Sequence, residues 1–297
     1  MVFQTRSTLK LLAVTALLSS AATAVAAPPV AYSIGKDVFL TSPTATGTVK
    51  VWSGPGKMAV SGLDFDPSSN RIAVLGTDRI IRIVSYSASG VGGAVTTIPA
   101  DGCVPNGFDF HPTDGSLLIS RACNAFSTIE VRRYSNGGLS APIGSYGSGQ
   151  DNAVSVIRWT SDGTGFFIGR MSGSGPATIE RRSLALPDAP QTVWSRTGGG
   201  ALPGWFDIAR CPSGDANCSK LIVTDASTIS AVPYDSFGGG TPVTLVNPGV
   251  NGHYSPDNNE VLYKWQLRNS YQLYVKGSGG TRTIVSKGDV GALDWRP

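Results

Sequence analysis

The chain offers few residues whose type suits catalysis or metal binding, and its two histidines are the first of them. His111 and His253 fall at different places within recurring segments, and neither is accompanied by the several nearby ligands that a metal site needs. We expect His111, which directly precedes a turn proline, to be exposed. Neither a Gly-x-Ser-x-Gly nucleophile elbow nor an Asp-rich calcium loop is present. The sequence therefore predicts no catalytic residue, no metal site and no cofactor.

Acidic residues, by contrast, recur at equivalent places along the chain. The set comprises Asp64, Asp109, Asp207 and Asp294, with Arg158 and His253 at the two remaining places. This recurrence predicts a structural role, in which each carboxylate accepts hydrogen bonds from backbone N–H groups of a neighbouring turn. A ring of acids that binds a cation is the alternative.

Basic side chains recur at one kind of connection, the predicted turn between the second and third strands of each unit. The residues concerned are Lys36, Arg79, Arg121, Arg170 and Arg268. The one remaining unit carries Asp225 at this turn. Trp205 and Trp265 fall near the same end of the molecule. We call this end the basic face and predict that it attracts carboxylates or phosphates. The alternatives are that the charges are solvated turn residues and that the tryptophans fill gaps between blades.

All of these residues belong to a repeat, in which an apolar or aromatic residue follows a polar one and Pro often stands two residues later. Successive copies of the polar position are 45, 49, 49, 46 and 41 residues apart. A period of about 40–50 residues, with four short β-branched segments in each unit, is typical of a β-propeller. We therefore predict an all-β fold, a six-bladed β-propeller of four-stranded antiparallel blades.

The two ends of the chain predict how the ring closes. The last copy of the repeat is an innermost strand with no further strands after it, whereas residues 30–34, 37–41 and 48–52 have the pattern of second, third and fourth strands. We expect residues 292–297 to pair beside residues 30–34. This closure covers strand edges that would otherwise stay unpaired.

Two segments carry a resemblance to a known family. Residues 159–168 read WTSDGTGFFI and residues 254–263 read YSPDNNEVLY. Both resemble the W-S-P-D-G-x-x-I-A-F repeat of TolB-like six-bladed propellers, and as a repeat the resemblance extends over essentially all of residues 27–297. It implies the propeller fold and no particular activity, because the helical N-terminal domain of TolB has no counterpart here. A WD40-like repeat fits less well, since no G-H…W-D pair is present.

The start of the chain predicts export. Arg6 and Lys10 accompany a short apolar run, and residues 24–26 form an Ala-x-Ala cleavage pattern. Residues 1–26 are therefore a predicted secretory signal peptide, and residues 27–297 a predicted single propeller domain. We expect a periplasmic or secreted protein without a membrane span.

The four cysteines support the same interpretation. An even number in an exported chain favours disulfides, and a CxxC pair that would favour zinc is lacking. The predicted strand connections place Cys103 near Cys123 on one face, and Cys211 and Cys218 on either side of one turn on the other. We therefore predict the pairs Cys103–Cys123 and Cys211–Cys218.

Charge limits the class of partner. The formal net charge is +4, and two of the positive residues lie in the predicted signal peptide, so the rest of the chain is close to neutral. No nucleic-acid partner is predicted. We expect a monomeric, non-enzymatic binding or scaffold propeller that engages a protein or an anionic ligand on the basic face. The alternative is a propeller enzyme, a lyase or hydrolase, that acts on a polyanionic carbohydrate.

Overall fold

A computed structural model describes residues 29–44, 46–87, 92–124, 128–146, 152–172, 176–196, 205–209, 219–235 and 238–295. Every regular element in these ranges is a β-strand, as expected for short β-branched segments between turn residues. In chain order the strands are β1 Val30–Ile34, β2 Asp37–Thr41, β3 Val49–Ser53, β4 Val60–Phe65, β5 Arg71–Gly76, β6 Ile81–Tyr86, β7 Gly92–Thr97, β8 Val104–Phe110, β9 Leu117–Cys123, β10 Thr128–Ser135, β11 Gly138–Leu139, β12 Gly144–Tyr146, β13 Asn152–Trp159, β14 Gly165–Ser172, β15 Ala177–Ser183, β16 Gln191–Ser195, β17 Trp205–Ile208, β18 Lys220–Asp225, β19 Thr228–Asp235, β20 Gly238–Gly239, β21 Val243–Val246, β22 Val250–Tyr254, β23 Val261–Leu267, β24 Ser270–Gly277, β25 Gly280–Val285 and β26 Val290–Trp295.

Hydrogen bonds between strands group them into six antiparallel sheets, the blades of a propeller. The first blade holds β4 to β7, the second β8 to β12, the third β13 to β16, the fourth β17 to β21 and the fifth β22 to β25. The closing blade holds β26 beside β1, β2 and β3. In the second and fourth blades the outermost strand consists of two pieces, both of which pair with the third strand. The predicted six-bladed fold is confirmed.

The closing blade joins the two ends of the chain as predicted. In the β1–β26 ladder Val30 lies opposite Trp295 and Ile34 lies opposite Val290. The Ser33 hydroxyl also accepts a hydrogen bond of 2.8 Å from the Ala292 N–H. The C-terminal strand is therefore the innermost strand of a blade whose other strands come from the N-terminal segment.

The hydrophobic core is divided among the gaps between neighbouring blades. Six clusters of buried side chains each combine residues of two adjacent blades, and together they occupy every gap around the ring. The closing blade packs on the first blade through Ala31 and Leu63, and on the fifth through Trp295 and Leu273. Each blade thus buries both of its faces. Strands that are buried on both faces are expected to be apolar at most positions.

Because the four strands of each blade are antiparallel and follow one another along the chain, the links between them lie at two opposite ends of the propeller. The turns from second to third strands and the links from fourth strands to the next first strand share one end, which is the basic face. The opposite face carries the other turns. In the described ranges no helix is long and apolar enough to cross a membrane. The predicted signal peptide, residues 1–26, lies outside the described residues.

Candidate functional site

Six side chains on the innermost strands form a buried layer near the propeller axis, which we call the axial ring. Its members are Asp64, Asp109, Arg158, Asp207, His253 and Asp294, all between 1 % and 4 % exposed. Three of its carboxylates accept a backbone N–H from the innermost strand of the next blade. These bonds run from Phe110 to Asp64 (2.6 Å), from Trp159 to Asp109 (2.6 Å) and from Phe65 to Asp294 (2.7 Å).

The structural role predicted for the recurring aspartates is confirmed by these bonds for Asp64, Asp109 and Asp294, although the donors lie on neighbouring inner strands and not in turns. The inner edge of each blade presents backbone N–H groups that have no further strand to pair with. A carboxylate from the preceding blade satisfies such a group and joins the two blades. In each of the three aspartates one carboxylate oxygen is thereby engaged between blades.

Two members of the axial ring, Arg158 and His253, stand where the other copies of the repeat have an aspartate. Arg158 donates to the Phe108 carbonyl (3.1 Å) and, through Nε, to Asp207 (3.3 Å). His253 places Nδ1 at 3.4 Å from a carboxylate oxygen of Asp207 and at 3.2 Å from one of Asp294. Burial lowers the pKa of His253, but the two carboxylates outweigh that effect and raise the pKa above its ordinary value.

The two tryptophans of the sequence prediction lie towards the basic-face ends of their strands, and both pack against neighbouring side chains. Trp205 is the first residue of β17, and its indole lies 4.7 Å from the Arg158 guanidinium and 5.2 Å from the His253 ring. Trp265 packs half-buried against the core cluster between the fourth and fifth blades. His111 was predicted to be exposed, which is wrong: its side chain is 12 % exposed, because the ring packs edge-on against Trp159 at 4.7 Å.

Three of the five predicted basic residues are exposed on the basic face. Lys36, Arg79 and Arg268 lie in the turns between second and third strands. Arg79 and Arg268 have φ angles of 62° and 60°, so both occupy the left-handed position of a tight hairpin turn. Their exposure follows from that place, because the side chain projects beyond the ends of both strands.

The other two predicted basic residues differ from expectation. Arg121 and Arg170 lie inside β9 and β14, because these strands extend two residues beyond each arginine before the chain turns. Arg170 pairs with Glu180 at 3.3 Å. Arg121 is 3 % exposed and donates to the Ala100 carbonyl at 2.7 Å. Neither is a freely solvated turn residue.

The sequence interpretation missed two further exposed lysines on the basic face. Lys57 and Lys287 lie in links from a fourth strand to the next first strand, each three residues before an inner strand begins. An alignment of the repeats on their inner strands would have shown that both lysines occupy the same position of the repeat.

Several acidic side chains on the same face are engaged by neighbouring donors. Asp78 receives two bonds from Arg82, of 3.1 and 2.6 Å, and this contact lowers the pKa of Asp78. Asp225, the exception in the sequence pattern, is paired with Arg196. Asp289 accepts the Tyr271 N–H at 2.9 Å. Each of these three carboxylates is therefore already engaged by a donor of this chain.

A disulfide joins Cys103 and Cys123 as predicted. Cys211 and Cys218 lie outside the described residues. Cys103, Cys123 and Glu130 come close enough together to resemble a metal ligand set. In the oxidised protein the two sulfur atoms are bonded to each other, so thiolate ligands are not available there.

The disulfide also forms part of a narrow cleft between the first and second blades on the basic face. Apolar walls are supplied by the buried residues Ile81, Ile98 and Ile119. Arg79 and Arg121 both line this cleft, so the structure brings together two of the five predicted basic residues. The remaining three lie on other blades.

Comparison with known proteins gives the fold. No protein-family model matches the sequence, and no curated protein matches it. Among solved structures, TolB from Acinetobacter baumannii superposes with a TM-score of 0.66 at 17 % identity, over 91 % of this chain and 67 % of that chain. A TolB candidate from Agrobacterium tumefaciens gives 0.63 at 11 % identity, over 89 % and 99 %.

A chain of a nidogen–laminin complex has a TM-score of 0.67 at 14 % identity, over 91 % of this chain and 98 % of that one. At such identities the likeness concerns the path of the backbone alone. Together with the blade order and the shared innermost strand of the closing blade, it shows that this chain has the TolB-like six-bladed β-propeller fold.

Proposed function

We propose that this chain is an exported binding propeller, not an enzyme, that engages an anionic ligand or protein partner through its basic face. The observation that carries the proposal is the recurrence of exposed Lys and Arg at equivalent connections of that face, where the carboxylates of Asp78 and Asp289 already accept hydrogen bonds. Positive side chains so placed attract anions over about 10 Å at ordinary salt.

Two further observations support parts of the proposal. The Cys103–Cys123 disulfide suits an oxidising compartment outside the cytoplasm, in agreement with the predicted signal peptide. The propeller matched in the nidogen–laminin complex offers a precedent for this fold within a protein assembly. Titratable groups do converge in the axial ring, but three of its carboxylates are used in bonds between blades, which favours binding over catalysis.

The experiment removes three exposed positive charges from the basic face with substitutions that keep the turn conformations. Lys36→Gln, Arg79→Asn and Arg268→Asn are combined, since Asn tolerates the left-handed position that both arginines occupy. Binding to poly-glutamate and to dextran sulfate is measured at several salt concentrations. We expect the triple variant to bind at least about fivefold more weakly, and binding of the parent protein to fall as salt rises.

A matched control changes the net charge equally on the opposite face. Asn136→Asp, Leu186→Glu and Ser278→Glu lie at exposed connections from third to fourth strands and also add three negative charges. This control should retain binding. Equal binding by both triple variants would disprove the proposed face. Degradation of dextran sulfate or another polyanionic sugar by the protein would favour the enzyme alternative.

A further inference from the structure

We propose that the cleft between the first and second blades receives a carboxylate side chain of a protein partner, with Arg121 at its base and Arg79 at its mouth. This inference rests on the proposed function and names the subsite and the ligand chemistry. It depends on the geometry around Arg121, which the sequence pattern had placed in an exposed turn.

Arg121 has one nitrogen atom engaged and one in need of an acceptor. Its Nη2 donates to the Ala100 carbonyl at 2.7 Å, whereas its buried Nη1 finds no hydrogen-bond partner within the part of the chain that the structure describes. The nearest carboxylate is that of Asp101, 3.7 Å from Nη1 and largely exposed. A guanidinium so enclosed by apolar walls is ready to donate to an incoming anion, because desolvation strengthens such a bond.

The size of the cleft determines what form that anion takes. The cleft is partly open to solvent, and its interior leaves about 10 Å³, which holds roughly one water-sized atom. A whole sugar acid or phosphate ion does not fit inside this space, whereas one carboxylate oxygen does. Pro99 and Ala100, the exposed lining residues at the rim, would contact the methylene groups of the side chain that carries it. The occupant is thus the tip of an acidic side chain presented by a larger partner.

Asp101 and the disulfide control access to this subsite. Asp101 competes for Arg121, and a partner carboxylate would take its place at Nη1. Cys103, two residues later, ties the Asp101 segment to the end of β9 through Cys123. This link holds the cleft wall in position before binding, which reduces the ordering cost of association.

The test compares two arginines of the same backbone conformation. Arg79 and Arg268 are both exposed at left-handed hairpin positions, but only Arg79 lines the cleft. The probes are fluorescent decapeptides that contain glutamate, including deca-glutamate, their glutamine counterparts and dextran sulfate. Affinities are measured with the full oxidised chain, and thermal unfolding confirms that each variant is folded.

We expect Arg79→Asn to weaken glutamate-peptide binding about three- to fivefold and Arg268→Asn to weaken it less than about twofold. Asp101→Asn should tighten binding, because the internal competitor is lost. Arg121→Lys retains the charge but not the planar pair of donors, so binding should fall about tenfold. Glutamine peptides should not bind.

Other outcomes would overturn the inference in distinguishable ways. Equal losses for Arg79→Asn and Arg268→Asn, with no gain for Asp101→Asn, would reject the cleft but keep the basic face as the binding surface. Stronger binding of dextran sulfate than of any glutamate peptide would reject a protein carboxylate in favour of a polyanion. Glutamate peptides that fail to bind, or that bind every variant alike, would also reject it.

Discussion

His253 is the residue whose surroundings differ most from those of its counterparts in the repeat. Where the other copies place a carboxylate or Arg158, this buried imidazole faces Asp207 and Asp294. The folded state therefore stabilises the protonated form, against the opposing effect of burial. A raised pKa means that the folded protein holds this proton more tightly than the unfolded chain does.

The resulting pH dependence has a definite sign. Stability contributed by His253 is fully present below the unfolded pKa of about 6.5 and is lost as the pH rises through the higher folded pKa. We compare the free energy of unfolding of the parent protein and of His253→Gln across this range by urea denaturation. The advantage of the parent over the variant should shrink as the pH rises. A difference that is constant, or that grows with pH, would contradict the charged pairing of His253.

At the scale of single elements, the disulfide is the contact whose removal has a calculable effect. The bond joins residues 20 apart, from the link before β8 to the last residue of β9. Cys103→Ser combined with Cys123→Ser should lower the free energy of unfolding by about 3 kcal/mol, mainly because the unfolded chain gains freedom. Chemical denaturation under oxidising conditions measures this. Reduction of the parent protein should produce a similar loss, and an unchanged unfolding midpoint in the double variant would refute the estimate.

The same elements show how far sequence reasoning reaches. The first, second and third strands of the blades were predictable, because their side chains are buried against neighbouring blades and therefore form regular apolar patterns in the sequence. The length of β9 and β14 was not, because their ladders continue beyond the apolar pattern of each strand. Arg121 and Arg170 were consequently placed in turns although they lie within strands. The split outer strands of two blades were equally unpredictable, since exposed edge segments carry little periodic signal.

The candidate site was predictable in its components but not in its arrangement. The turn positions of Lys36, Arg79 and Arg268 and the first disulfide could be assigned from the repeat. The cleft could not, because it depends on how two blades pack and on the burial of Arg121 beside Ala100. The burial of Arg121, which the sequence pattern places in a solvated turn, is visible only in the three-dimensional structure.

For the whole molecule, the decisive feature is that the ring is closed by a strand from the far end of the chain. β26 supplies Leu293 and Trp295 to the core and the Asp294 acceptor for the Phe65 N–H. Loss of this strand removes the innermost strand of the closing blade and exposes the apolar side chains that this blade buries against the first and fifth blades. Each buried large side chain contributes about 2–5 kcal/mol.

Removal of residues 292–297 should therefore lower the free energy of unfolding by at least about 5 kcal/mol, as measured by urea denaturation. The informative control moves the strand instead of deleting it. In a circular permutant that begins at residue 287, a short turn joins the end of β26 to residue 29, because Trp295 lies directly opposite Val30. The closing blade then becomes a continuous meander with every contact retained. This permutant should recover most of the lost stability, whereas a truncated chain as stable as the parent would show that ring closure does not depend on β26.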